Sequence, residues 1–281
     1  MNNIIKNFSF QGAEGAYSEM AGKEIYPDAN SISCKTFEEM FEIVRKEKAD
    51  CAIVPIENSL SGRVADTQRL IPESGLKIIG EYFLEIKHCL MSIESSNIEN
   101  LKRVHSHEQA LAQCRKNLIN KNISMIVAAD TAGSAKKIAE LKSSEDGAIA
   151  SKLAAKIYGL KVLQENIQDA VKNYTRFVIM GRDLAKINLD EKEVMTTIVY
   201  QVKSIPAALY KSLGGFATNG VNITKLESYV HPQGFDVAQF YIDIEGHPDK
   251  KSVTLALDDL KFYCKKFDIL GVYKADKFRK K

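Results

Sequence analysis

Up to about residue 181, short apolar runs alternate with segments whose apolar positions recur every three or four residues. Lys6–Phe10 reads as a strand, followed by the turn Gly12-Ala13-Glu14-Gly15. Phe37, Met40, Phe41 and Val44 fall at i, i+3, i+4 and i+7, one face of a helix, with Thr36 as cap and Glu39 completing a capping box. Cys51–Val54 is a buried-strand run stopped by Pro55, and Leu76–Gly80 and Phe83–Ser92 are further strand candidates. Val104–Ser106 precedes a helix over Glu108–Leu118. Met125–Ala128 precedes one over Ser134–Leu141, and Ala148–Ala150 one over Lys152–Tyr158, with Gly159 at its C-terminal cap. Strand–helix alternation predicts an α/β domain with mostly parallel sheets. The hairpin-like stretch 76–92 interrupts the alternation, so two sheets are expected, with NYTRFVIMG (173–181) returning the chain to the first.

Residues 183–193 are polar and charged and read as a linker, which gives a first domain over 1–182 and a second over 194–275. In the second, Val194–Val202 is a strand and Pro206 opens a helix running to Thr218. Val221–Tyr229 and Phe235–Glu245 are strands joined by a turn at 231–234; Ser252–Lys266 is a helix and Ile269–Tyr273 a last strand. The order β-α-β-β-α-β is the ferredoxin-like split βαβ unit.

Composition narrows the class. With 281 residues the chain can bury a sizeable core, and a net charge of +3 is too balanced to argue for a nucleic-acid partner. The basic run at 277–281 reads as a frayed, solvated tail. Five scattered cysteines without a C-x-x-C read as reduced thiols, and no apolar run reaches a membrane span, which together predict a cytoplasmic protein with no membrane partner.

Four turns of the first domain place polar residues at helix starts: Tyr17-Ser18, Glu57-Asn58-Ser59, Ser106-His107 and Asp130-Thr131. Helix N-termini attract anions, and ligands of open α/β sheets sit beyond the carboxyl ends of the strands. With Thr175-Arg176 at the mouth of an apolar strand, these turns would surround one carboxylate-bearing ligand. His105-x-His107 lacks a third ligand for a metal, and His107 reads better as a cap or hydrogen-bonding residue; no metal is expected. Gly12-x-x-Gly15 is not a phosphate loop, since no G-K-[ST] follows. Glu14 and Glu57 are candidate acid–base groups.

The segments GAEGAYSEMAG (12–22), VPIENSLSG (54–62), SHEQALAQC (106–114), AADTAGSA (128–135), AIASKLAAKIYGL (148–160) and NYTRF (173–177) resemble prephenate dehydratase, and 194–273 resembles the ACT regulatory domain that such enzymes carry. The resemblance implies a two-lobed, periplasmic-binding-protein-like catalytic domain followed by a ferredoxin-like ACT domain. It also implies a cytosolic lyase that converts prephenate to phenylpyruvate, water and CO2 in phenylalanine biosynthesis. The family's essential threonine falls on Thr175. Loss of CO2 with expulsion of the ring hydroxyl yields an aromatic ring, so no cofactor is needed; the enzyme holds two anions and assists hydroxide departure. Thr175, Arg176 and Asn58 are the expected catalytic residues. Ser18, Glu57, Ser59, Ser106, His107, Thr131 and Phe177 are the expected substrate contacts. Arg176 reads either as a carboxylate anchor or as the partner of a structural acid.

Dehydratase ACT domains usually carry G-A-L and E-S-R-P as their phenylalanine-binding signature. Here Ala207-Ala208-Leu209 and Glu227-Ser228-Tyr229-Val230 stand there, with Asn222 nearby. A homo-oligomer with a possible phenylalanine site at the ACT interface is expected, a purely structural dimerisation domain being the alternative. Two rivals to the main reading stay open: arogenate as substrate, and a non-catalytic amino-acid sensor.

Overall fold

The computed structural model describes residues 4–230 and 238–280. The chain divides into two compact units, Met1–Val64 with Tyr82–Phe177, and Ala65–Glu81 with Val178–Lys281. In chain order the elements up to β11 are β1 (Asn7–Gln11), α1 (Tyr17–Ile25), β2 (Asn30–Cys34), α2 (Phe37–Arg45), β3 (Cys51–Asn58), β4 (Gly62–Arg63), α3 (Ala65–Leu70), β5 (Lys77–Glu85), β6 (Cys89–Ser92), β7 (Arg103–His107), α4 (Glu108–Gln113), α5 (Arg115–Ile119), β8 (Ser124–Ala128), α6 (Thr131–Leu141), β9 (Asp146–Ala150), α7 (Lys152–Tyr158), β10 (Lys161–Gln164) and β11 (Tyr174–Gly181). They are followed by β12 (Val194–Val202), α8 (Ala208–Thr218), β13 (Ile223–Val230), β14 (Ala238–Glu245), α9 (Lys251–Tyr263) and β15 (Cys264–Lys274).

The first unit has two α/β lobes, as the alternation pattern and the resemblance implied. In one lobe β1 pairs in parallel with β2 and β3, and the N-terminal half of β11 returns to lie beside β3. The other lobe is a five-stranded sheet in the order β10-β6-β9-β7-β8. Helix α2 begins where the sequence placed it: Thr36 accepts from the Glu39 N–H at 3.1 Å and Met40, Phe41 and Val44 are buried. Gly159 ends α7 in the left-handed conformation at φ 63°. Gly15 has φ +88°, and a Cβ there would lie 2.5 Å from Ala154 Cα. The Gly12–Gly15 turn is therefore a packing surface for α7, where the Tyr158 hydroxyl donates to the Glu14 carbonyl at 2.9 Å.

Several expected elements are redrawn. The stretch 76–92 is no hairpin: β5 and β6 belong to different sheets, and residues 86–88 carry the chain between them. β3 runs through Pro55 to Asn58; the last β1 partner is Ile53, so the missing Pro55 N–H breaks no bond to β1. The helix expected over Glu108–Leu118 breaks at Cys114, because the Asp169 carboxylate accepts the Lys116 and Asn117 N–H groups at 3.0 and 3.2 Å and starts a new turn there. α6 starts at Thr131 because Asp130 caps it, accepting from the Gly133 N–H.

In the second unit the order β12-α8-β13-β14-α9-β15 is the split βαβ pattern, with strand order β13-β14-β12-β15 and antiparallel pairing throughout. Ile198, Tyr200, Ile242 and Ile244 pack with Phe216, Val253, Leu257 and Leu260 of the two helices. α8 begins at Ala208, not Pro206, because Ala207 adopts φ 58°. That left-handed conformation costs an alanine about 1–2 kcal/mol. α9 stops at Tyr263, short of the expected Lys266, and Cys264 opens β15. The turn expected at 231–234 and the first residues of the strand expected from Phe235 lie outside the described residues.

The basic C-terminus is not frayed. Lys277–Lys280 form a 3-10 turn, and Arg279 grips the fully buried Glu81 carboxylate with two bonds of 2.6 and 2.9 Å. Removing one partner of a buried pair leaves an uncompensated charge. Arg279→Ala should therefore lower unfolding free energy by about 3 kcal/mol, measured by urea denaturation; an unchanged midpoint would return the tail to a solvated role.

Candidate functional site

Asn58 ends β3, and its side-chain amide is the hub of the first unit's polar centre. Its Oδ1 accepts the backbone N–H groups of Leu60 and Ser61, both at 2.9 Å. Backbone N–H groups can only donate, so this atom is fixed as the oxygen. The Nδ2 end then donates toward Asn173 Oδ1 at 2.7 Å, Thr175 Oγ1 at 2.9 Å and the Tyr174 carbonyl at 3.1 Å. The direction propagates. Asn173 presents its Nδ2 to Gln113 Oε1 at 2.9 Å, so Gln113 Nε2 faces Ser61 Oγ at 2.9 Å and, more loosely, Asn58 Oδ1 at 3.5 Å.

Each group is held by its element. The α4–α5 break exposes the Gln113 carbonyl, which takes the Asp169 N–H at 2.7 Å and fixes the residue's backbone. Ser59 and Tyr174 exchange two bonds, Ser59 N–H to the Tyr174 carbonyl at 2.8 Å and Tyr174 N–H to Ser59 Oγ at 3.0 Å, which seats the start of β11 against the end of β3. As a result three hydroxyls, those of Ser59, Ser61 and Thr175, each accept a hydrogen bond and donate none among the described residues. Three O–H protons at one end of β3 and β11 suit an oxygen-rich anionic ligand.

The other expected site residues fare differently. Arg176 is 2% exposed, pairs with Glu57 at 3.0 Å and lies over the Phe83 ring. Of the two readings, the ion pair with Glu57 is the one this geometry displays. Ser106 is fully buried and donates to the Ile149 carbonyl at 2.6 Å, and Phe177 is buried in the core. Ser18 is buried in the first turn of α1. His107 caps α4, its Nδ1 accepting from the Gln109 N–H. Thr131 begins α6, which Asp130 caps by accepting the Gly133 N–H. Glu14 is exposed. His105 bonds Asp146 at 3.1 Å, so the two histidines of the H-x-H pair are engaged separately. Among the described residues no group of three or more metal-ligating side chains gathers.

Sequence reasoning missed four members of the centre. Asn173 and Gln113 sit inside the quoted motifs NYTRF and SHEQALAQC without having been given a role, and Ser61 sits inside VPIENSLSG. His88 had no motif at all, yet it is 3% exposed and its Nε2 lies 2.8 Å from Gln113 Oε1.

A profile of the prephenate dehydratase family matches residues 8–185. The chain belongs to the prephenate dehydratase family. The bifunctional N-acyl-homoserine lactone acylase/prephenate dehydratase of Komagataeibacter europaeus is 42% identical over 97% of both chains. Arogenate dehydratase 2 of Petunia hybrida is 38% identical over 95% of this chain and 71% of its own length. The crystal structure of the Arthrobacter aurescens prephenate dehydratase in complex with L-Phe shares 31% identity, covers 95% of this chain and 89% of that one, and superposes with a TM-score of 0.86. Among the described residues of this dehydratase-family chain, no helix is long and apolar enough to cross a membrane.

The expected effector residues lie in the second unit. The turn 203–206 with Val202, Ala208 and Ala238 lines a cavity of about 350 Å³. Leu209 packs on the helix core, Glu227 pairs with Lys225 at 3.3 Å, and the Asn222 carbonyl accepts the Glu245 N–H. Tyr229 and Ser228 lie on the outermost strand β13, where Gln239 Nε2 donates to the Tyr229 hydroxyl.

Burial lowers the His88 imidazole below its ordinary 6.5, partly offset by the Gln113 hydrogen bond. The unfolded chain therefore takes up this proton first. Its contribution to stability is complete above pH 6.5 and is lost as pH falls through the folded value. Unfolding free energies should drop on acidification below pH 6.5, and His88→Gln should flatten that drop by up to one proton. Identical slopes in both proteins would contradict the assignment.

Proposed function

We propose that this chain is a prephenate dehydratase that converts prephenate to phenylpyruvate, CO2 and water, a carbon–oxygen lyase of phenylalanine biosynthesis acting in the cytoplasm. The observation that carries the reading is the Thr175 hydroxyl, which accepts from Asn58 and keeps its own proton available. The C–C bond to the ring carboxylate breaks and its electron pair enters the ring. The C–O bond at the ring hydroxyl breaks, and hydroxide leaves as water with one proton drawn from solvent. An alcohol is too weak an acid to supply that proton outright, so Thr175 donates a hydrogen bond to the departing oxygen and stabilises its developing charge. Ser59 and Ser61 supply the neighbouring donors that orient the substrate, and aromatisation drives the step without a cofactor. Asn58 acts by fixing the direction in which Thr175 can donate.

We assign residues 1–182 to the catalytic domain and 194–275 to an ACT domain, joined by 183–193. Homo-oligomerisation through the ACT domain would place phenylalanine near the cavity of the β12–α8 turn. The Arthrobacter aurescens relative, solved in complex with L-Phe, supports phenylalanine as the ligand to test. The Petunia relative's name makes arogenate the second substrate to test; it carries an amino group where prephenate carries a keto group.

The test is phenylpyruvate formation from prephenate, with an arogenate arm, for wild type, Thr175→Ala and Thr175→Ser. Thr175→Ala should lose about 10²–10³ in kcat, the typical loss of one such donor, and Thr175→Ser should keep most of the activity. Folded wild-type protein that turns over neither substrate would refute the reading.

A further inference from the structure

His88 stands at the crossing 86–88 between the two lobes and is buried, and it is not among the expected site residues. Its backbone is pinned on both sides: its N–H donates to Gln168 Oε1 at 2.9 Å and its carbonyl accepts the Ile167 N–H at 3.0 Å. Its ring lies between two partners, Gln113 Oε1 at 2.8 Å from Nε2 and the Tyr17 hydroxyl at 2.8 Å from Nδ1. The Tyr17 ring meets the imidazole edge-on, at 79° and 5.5 Å between centroids.

The direction of the Asn58 network determines the state of this ring. Leu60 and Ser61 N–H groups fix Asn58 Oδ1; Asn58 fixes Asn173; Asn173 fixes Gln113 Oε1 as an acceptor. Facing an acceptor, His88 Nε2 must carry the proton. In the neutral ring Nδ1 is then an acceptor, and the Tyr17 O–H points at it, with the Lys87 carbonyl a second acceptor at 3.1 Å. The constraint is mutual. A histidine held as the Nε2–H tautomer forbids Gln113 from turning its amide over. A turned Gln113 would set its Nε2 against the Asn173 amide nitrogen, withdraw the donor from Ser61, and disturb the Asn173 link to the Asn58 amide nitrogen that faces Thr175.

We propose that His88, locked between the Tyr17 hydroxyl and the Gln113 amide, is a positioning residue that holds the hydrogen-bond chain in the one direction that leaves the Ser61 and Thr175 protons free for substrate. It touches no reacting atom and acts through Gln113. This role rests on the dehydratase reading, and the experiment separates the two.

Kinetics with prephenate are measured for wild type, His88→Leu, His88→Gln and Tyr17→Phe, beside ¹⁵N NMR of the histidine rings in wild type and Tyr17→Phe. A glutamine places an N–H close to where Nε2–H stands, whereas leucine offers none. His88→Leu should lower kcat about 10- to 100-fold with KM changed by less than about threefold, as for misplacement of a site from a distance. His88→Gln should recover most of that loss. Tyr17→Phe should cost only a few-fold and should broaden the tautomer preference, while wild-type His88 should be protonated at Nε2 alone at neutral pH. An active wild type with an unaffected His88→Leu overturns the proposal, as does equal loss in His88→Leu and His88→Gln. If His88→Leu does not fold, the tautomer decides: a ring protonated at Nδ1 overturns the proposal, and Nε2–H with an active His88→Gln sustains it. An inactive wild type refutes the dehydratase reading instead, while the ring state still reports whether the chain of bonds has the stated direction.

Discussion

A carboxamide has one end that only accepts and one that only donates, and the centre of this protein depends on which way a single one points. Asn58 is turned by two backbone N–H groups, Leu60 and Ser61, that the tight turn after β3 aims at its oxygen. Everything beyond follows by elimination: the nitrogen faces Thr175, Thr175 becomes an acceptor, and its proton is left for a ligand. Individually such bonds contribute about 1 kcal/mol each, but a buried network reversed at one link leaves unpaired groups that cost more. The direction is therefore a cooperative property of the whole chain of bonds.

The fold supplies the rigidity that this needs. β3 continues past Pro55 and delivers Asn58 to the start of β11, which the Ser59–Tyr174 exchange locks in place. Gln113 arrives from the other lobe at a helix break created by Asp169, and His88 arrives on one of the segments that connect the lobes. Four separate stretches of sequence thus meet in one network. The bonds of Gln113 to Asn58, Ser61 and Asn173 join the lobes.

How much of this was legible in the sequence depended on the range of the interaction. Local signals read correctly: the Thr36–Glu39 cap, the Gly159 stop and the apolar face of α2 are set within a turn of helix. Thr175 and Asn58 were visible through their motifs. Arg176 was ambiguous because a cation beside a strand fits a ligand or an acid equally, and only the fold brings Glu57 to it. Ser106 looked like a ligand-binding hydroxyl but points at a carbonyl on the adjacent strand β9, a partner no spacing could reveal. His88 was invisible because nothing near it in sequence indicates Tyr17 or Gln113. The basic tail failed for the same reason, since Glu81 is 198 positions from Arg279.

The turnover of Asn58→Asp tests whether the direction of the Asn58 amide controls the Thr175 proton. Aspartate keeps the shape and still accepts the Leu60 and Ser61 N–H groups, so the protein should fold. Its second oxygen cannot donate to Thr175 and instead captures the threonine proton. The variant should fold, and its kcat for prephenate should fall at least about 10²-fold. An Asn58→Asp enzyme with wild-type kcat would show that the direction of the network does not matter, and the account would be wrong.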